Sequence, residues 1–142
     1  MNWENVQELS CQIANAVTRG DKGAEMGLRR KLERYIARWL AAKDLTAVQT
    51  YNLKATLADF GECGLALSRL QEAFEYARAI NVPSAIIDSI FSMAEHYYLE
   101  ADWVQLDIWR KRGEKLLSEG LMDYDRSERT YWKDRFRSLN RA

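Results

Sequence analysis

Apolar residues recur along most of this chain at steps of three and four positions, which is the spacing that places them on one face of an α-helix. The first such stretch covers about residues 3–19, where the apolar positions are Val6, Leu9, Ile13, Ala16 and Val17. Residues that break helices are few, since the sequence has one proline and seven glycines, most of which fall at or near predicted turns. The pattern therefore predicts an all-α fold.

The predicted helices pair into hairpins along the chain. No linker or low-complexity segment divides the 142 residues, a length that suits one domain with a real hydrophobic core. We therefore predict a single domain of about seven helices over residues 1–142. It consists of three hairpins and a last helix, at about residues 3–42, 46–80, 83–119 and 124–140.

Local signals mark several of the predicted helix ends. Thr46 and Gln49 fit a capping box, in which the two side chains satisfy backbone N–H groups at the start of a helix. Pro83 suits the first turn of the next hairpin because its φ is already fixed near the helical value. Asp123 or Asp125 can cap the last helix.

The hairpins repeat at a step of about forty residues. At this step Ile13, Leu53 and Met93 fall at the same position of three successive first helices. A self-similar period in this range is typical of helical-repeat arrays, in which each hairpin buries its apolar face against the next. The many charges of the last helix suit a cap over the exposed end of such an array.

The second hairpin resembles a tetratricopeptide repeat (TPR), which has a large residue on its first helix, Gly-Asp at the turn and small or apolar residues on its second helix. The matching residues are Leu53, Gly61-Glu62-Cys63, Ala66, Leu70 and Ala73. The third hairpin fits the same frame with Met93-Ala94, Tyr97, Ala101-Asp102-Trp103, Leu106 and Gly113. The first hairpin matches only at the turn, with Gly20-Asp21.

The period of about forty residues exceeds the usual TPR length of about thirty-four. It is similar to the extended repeats found in bacterial regulators and signalling proteins. The resemblance implies a TPR-like right-handed solenoid of three helical hairpins with a C-terminal capping helix. It also implies a concave groove, lined by the first helix of each hairpin, as the usual peptide site.

One face of the predicted fifth helix combines aromatic and acidic residues, opposite the apolar face that we assign to the core. This candidate partner-binding face holds Asp88, Phe91, Glu95 and Tyr98, with Tyr51, Asp59 and Asn15 on the matching faces of earlier helices. Our hypothesis is a groove for a helical or extended peptide with apolar anchors and basic charge. In the alternative interpretation, Phe91 and Tyr98 pack beneath the final helix or against a second copy in a homodimer.

The predicted second helix has a basic face that could meet an acidic protein, RNA or a membrane surface. This possible basic patch consists of Arg29, Arg30, Arg34 and Arg38. Such faces are more often simply solvated than functional. The sequence as a whole has 21 basic and 21 acidic residues, and this balance makes nucleic acid a less favoured partner than protein.

The case for catalysis is thin. His96 is the only histidine, so a common metal site has no second histidine, and Cys11 and Cys63 lack metal-ligand spacing. The glycines between Gly20 and Gly27 do not form a phosphate-binding loop. We therefore predict no enzyme activity, no cofactor and no metal.

We also expect a cytoplasmic protein with reduced thiols. The first residues lack the basic and apolar regions of a secretory signal, and no apolar run is long enough to span a membrane.

The prediction is a non-catalytic protein-protein interaction module, an adaptor or regulator that binds a peptide or helix of a partner protein in its groove. One alternative is a small secretion chaperone, since arrays of this size resemble the TPR chaperones of bacterial type III secretion. A second alternative is a transcription- or nucleic-acid-associated regulator that uses the basic second helix.

Overall fold

The computed structural model describes residues 1–119 and 124–140, and these residues form seven α-helices without a β-strand. The helices are α1 (Trp3–Arg19), α2 (Lys22–Ala42), α3 (Ala47–Phe60), α4 (Ala66–Ile80), α5 (Pro83–Leu99), α6 (Trp103–Ser118) and α7 (Arg126–Ser138), with one 3₁₀ turn at Cys63–Leu65. The all-α prediction is confirmed. The predicted bounds hold within about two residues, and the largest difference is at α7, which begins and ends two residues inside its predicted range.

The cap signals in the sequence are present as hydrogen bonds. Thr46 Oγ1 accepts the Gln49 backbone N–H at 3.1 Å, while Gln49 Oε1 accepts the Thr46 N–H at 2.9 Å. Pro83 opens α5. Asp125 caps α7 by accepting the Glu128 N–H at 2.8 Å, whereas Asp123 lies outside the described residues.

The chain divides into two compact units, residues 1–73 and residues 74–142, with the boundary inside α4. In the first unit, α2 packs against α1 and α3 around a core of Val6, Leu9, Ile13, Leu32, Ile36 and Leu53. In the second unit, α5 packs along α6, and α7 lies against both of them. Whether the chain behaves as one domain stays a prediction.

The forty-residue register predicts burial at its central position. Ile13, Leu53 and Met93 are all 0% exposed. Two other apolar residues of the first hairpin, Val17 and Met26, are half exposed. Burial is therefore shared at these three positions of the forty-residue step, and the repeat itself stays a prediction.

The seam between α6 and α7 depends on a glycine. The Phe136 ring is fully buried and occupies the place that a side chain at Gly113 would take. The same ring lies edge-on to Phe91 of α5, with ring centroids 5.5 Å apart. Because Gly113 has no Cβ, Phe136 of α7 can reach between α5 and α6.

Replacing Gly113 by alanine should destabilise the protein by about 1–2 kcal/mol. Overpacking a filled core costs about 1–3 kcal/mol, while the higher helix propensity of alanine returns at most about 1 kcal/mol. Urea unfolding followed by circular dichroism would measure the change.

Gly27→Ala is the matched control, because a Cβ there meets nothing within 4 Å and should stabilise α2 by about 0.5–1 kcal/mol. Phe136→Leu should cost less in the Gly113→Ala background than in the wild type, since the shorter side chain removes the overlap. Equal stabilisation by both alanines would contradict this packing.

Candidate binding cleft

Helix α7 covers the predicted aromatic and acidic face of α5 at Phe91. Phe91 is only 4% exposed and packs against Trp132, with ring centroids 5.8 Å apart. The Arg135 guanidinium lies 4.0 Å from the centre of the Phe91 ring. Phe91 therefore packs beneath the final helix, as in the alternative interpretation, and is not a solvent-facing anchor.

The other residues assigned to the predicted groove have mixed environments. Tyr51 is 3% exposed, which corrects its assignment to an open face. Tyr98 is half-buried and meets Trp103 edge-on, at a centroid distance of 6.2 Å. Asp88 is half-buried, and the exposed members are Glu95, Asp59 and Asn15. Partner binding by the residues that keep solvent access stays a prediction.

A cleft of about 630 Å³ opens elsewhere in the second unit, between the end of α4, α5 and α6. Its floor is apolar and consists of Phe74, Ile86, Ile90 and Leu116. The two isoleucines lie on the apolar face of α5 and are buried, at 7% and 2% exposure. The cleft thus lies over the core face of α5, and its volume falls in the range of ligand and peptide sites.

The rim of this cleft is basic. Arg78, Arg112 and Lys115 line it, together with Glu119 at one end. Lys115 Nζ lies 3.7 Å from Glu119 Oε1, an exposed contact that contributes little. In residues 1–119 and 124–140, neither arginine has a carboxylate partner.

Aromatic rings hold the two arginines in place. Arg112 Cζ lies 4.4 Å from the centre of the Trp109 ring and 5.7 Å from that of Phe74. Arg78 Cζ also lies 5.7 Å from the Phe74 ring centre. Phe74 meets Trp109 nearly perpendicularly at 5.0 Å, so one aromatic pair supports both guanidinium groups.

The turn between α4 and α5 positions one end of the cleft. Asn81 has a φ of 54°, a left-handed conformation that asparagine tolerates, and its N–H donates a hydrogen bond to the Ala77 carbonyl at 3.1 Å.

The buried Tyr124 hydroxyl donates to the Pro83 carbonyl at 2.8 Å and connects the start of α5 to the segment before α7. Burial raises the pKa of Tyr124 to about 12, so this donor stays protonated at neutral pH.

The predicted basic patch of α2 is smaller than expected. Arg29 is largely buried, because it donates to the Gly61 carbonyl at 3.0 Å and pairs with Glu25 at 3.2 Å. Arg30, Arg34 and Arg38 are exposed and have no hydrogen-bond or ion-pair partner in the described part of the chain. Three arginines at steps of four therefore remain available on one face of α2.

The turn after α3 is held by a charged pair in the first unit. Glu33 accepts two hydrogen bonds from Arg69, one of them at 2.8 Å, and also accepts the Glu62 backbone N–H at 2.9 Å. The hydrogen bond from Arg69 is the main cause that lowers the pKa of Glu33. This pair fills the space beside Gly61 and serves the fold.

The residues considered for catalysis are not assembled into a site. The half-buried His96 meets the Tyr97 ring edge-on at 5.3 Å and has no carboxylate partner among residues 1–119 and 124–140. Cys11 and Cys63 are free and exposed. Within those same ranges, no three His, Cys, Asp or Glu side chains are grouped so that they could hold a metal ion.

None of the described helices is long and apolar enough to cross a membrane. Comparison of the chain with protein-family models, with curated proteins and with solved structures found no match.

The Glu33–Arg69 pair predicts a pH dependence of stability. Since folding lowers the pKa of Glu33 below its ordinary value of 4.5, the pair stabilises the protein above that pH, and the contribution is lost as the pH falls through the folded-state pKa. Glu33→Gln should reduce the free energy of unfolding at pH 7 by about 1–3 kcal/mol. The difference from wild type should shrink on acidification below 4.5.

Urea unfolding at about pH 7, about pH 5 and about pH 3.5, which lie on either side of the usual carboxyl pKa, would measure this dependence. Glu72→Gln is the control, because Glu72 pairs with Lys54 at 2.7 Å but is 62% exposed. It should change the free energy of unfolding by less than about 1 kcal/mol. A pH-independent difference for Glu33→Gln would contradict the ionised pair.

Proposed function

We propose that this chain is a non-catalytic protein-protein interaction module built from TPR-like helical hairpins in a solenoid. In this proposal it acts as an adaptor or regulator by binding a peptide or helix of a partner protein. The observation that carries the proposal is the cleft between α4, α5 and α6, with its apolar floor and its rim of polar side chains. Such a site buries apolar anchors of a segment and orients it through a few polar contacts.

The turns of the first and third hairpins support a repeated unit. Gly20 N–H bonds to the Val17 carbonyl and Asp21 N–H to the Ala16 carbonyl, at 3.0 Å each. In the third hairpin, Ala101 and Asp102 make the same pair of bonds, at 3.1 and 2.9 Å.

Both turns also place an aspartate at the cap of the following helix. Asp21 accepts the Ala24 N–H and Asp102 accepts the Gln105 N–H. The αL residue before each aspartate is glycine in one turn and Ala101, with a φ of 56°, in the other. Alanine is unfavourable in this conformation, yet the turn of the third hairpin has the same backbone geometry as that of the first. Such a shared geometry is what we expect of a repeated hairpin.

An adaptor and a small secretion chaperone would use this cleft in the same way, because both bind a segment of another protein. The acidic face of α5 that retains solvent access, at Glu95, is a second surface that could contribute to an interface. The role of the cleft itself can be tested without knowledge of the natural partner.

The test is selection of peptides of about sixteen residues from a random displayed library on the purified protein, a length that would form about four helical turns. Peptides that bind wild type should bind Leu116→Gln about tenfold more weakly, because the polar amide replaces an apolar part of the floor. Fluorescence anisotropy with the individual peptides would measure the affinities.

Val104→Gln is the matched control, since Val104 lies on the same helix, is 70% exposed and does not line the cleft. It should leave affinity unchanged. Equal binding by both variants would place the peptides elsewhere. Salt-sensitive binding of a single-stranded oligonucleotide, lost in Arg30→Gln/Arg34→Gln but not in Leu116→Gln, would instead favour the nucleic-acid-associated regulator.

A further inference from the structure

The two arginines of the cleft are arranged differently from ordinary surface cations. Exposed basic side chains usually move freely in water or pair with a nearby acid. Arg112 lies over Trp109, and Arg78 and Arg112 both lie near the Phe74 ring. A guanidinium that contacts a ring with its face keeps N–H donors at its edge for another partner.

The ring contacts also reduce the cost of binding an anion. A flexible arginine loses rotamer freedom when it pairs with a ligand, and this loss opposes binding. Aromatic contacts restrain Arg78 and Arg112 before any ligand binds. Part of their rotamer freedom is therefore already lost on folding. All three cations of the rim are exposed, but the ring contacts leave Arg78 and Arg112 better prepared for an anion than Lys115.

The charge around the cleft is unbalanced on a chain that is neutral as a whole. Among residues 1–119 and 124–140, three cations and one carboxylate line it, and that carboxylate, Glu119, lies beside Lys115. In the described part of the chain, no acid neutralises Arg78 or Arg112. The apolar floor between these cations suits a side chain such as Leu, Ile, Phe or Met. A nucleic-acid backbone has no such side chain, so the floor favours a protein segment.

We propose that the segment bound in this cleft is acidic, with Asp or Glu residues flanking an apolar anchor. Its carboxylates pair with Arg78 and Arg112 while the anchor enters the floor over Ile86 and Ile90. This inference rests on the proposed function and reverses the charge expected from the α5 face, since that hypothesis called for a basic peptide.

The test uses the peptides selected from the random library. They should be enriched in Asp and Glu within about one helical turn of an apolar residue. Arg78→Gln/Arg112→Gln should weaken their binding about tenfold or more, because each lost pair leaves a carboxylate without its partner. Lys111→Gln/Arg126→Gln removes the same charge from exposed positions outside the cleft and should change affinity less than about twofold.

A double-mutant cycle separates direct pairing from general attraction. Replacing the acidic residues of one selected peptide by Gln should weaken wild-type binding, yet should have little further effect on the Arg78→Gln/Arg112→Gln variant. Additive losses would overturn direct pairing with these two arginines.

The remaining outcomes distinguish the two proposals. Selected peptides that need Leu116 but carry neutral or basic flanks would overturn the acidic specificity and leave the interaction cleft standing. Selected peptides whose affinity is unchanged by Leu116→Gln and by Arg78→Gln/Arg112→Gln would overturn both proposals. A selection that yields no binding peptide would do the same.

Discussion

The packing of Phe136 into the space beside Gly113 brings α7 over Phe91 of α5. With Phe136 in place, Phe91 is sealed between α5 and α7 by two aromatic contacts and the Arg135 guanidinium. The aromatic face of α5 is thus closed at Phe91, and in the described residues a cleft with an apolar floor opens on the other side of the helix, over Ile86 and Ile90.

Local chemistry was the part of this structure that sequence could predict. The capping box at Thr46 and Gln49, the proline at the start of α5 and the cap at Asp125 each depend on residues within a few positions. The helix bounds follow from such signals together with apolar periodicity. Burial at the middle of the first helix of each predicted hairpin could also be predicted, because a large apolar residue there has to be buried.

The site depends on contacts that periodicity does not specify. The three- and four-residue spacing indicates that Phe91 and Ile90 lie on different faces of α5. It does not indicate which neighbouring helix covers each face. The spacing of Trp109 and Arg112 was one available signal, since residues three apart on a helix can stack. Arg78 and Phe74 come from another helix, and no pattern in the sequence linked them to Arg112.

The charged residues divide into those used by the fold and those left available. Glu33, Arg69 and Arg29 look like members of solvated helix faces, yet they hold the turn after α3 through long-range hydrogen bonds. Arg78 and Arg112 are supported by aromatic rings and lack an acidic partner in the described residues. Net charge, which is zero for the chain, conceals this difference between the two sets.

We propose that a partner segment enters the cleft over α5. A methyl NMR titration of isoleucine-labelled protein with a selected acidic peptide would test this binding site. The δ1 methyl signals of Ile86 and Ile90 should shift on binding, while those of Ile13 and Ile36, buried in the first unit, should stay unchanged. Unchanged Ile86 and Ile90 signals at saturating peptide would show that the segment does not bind over α5.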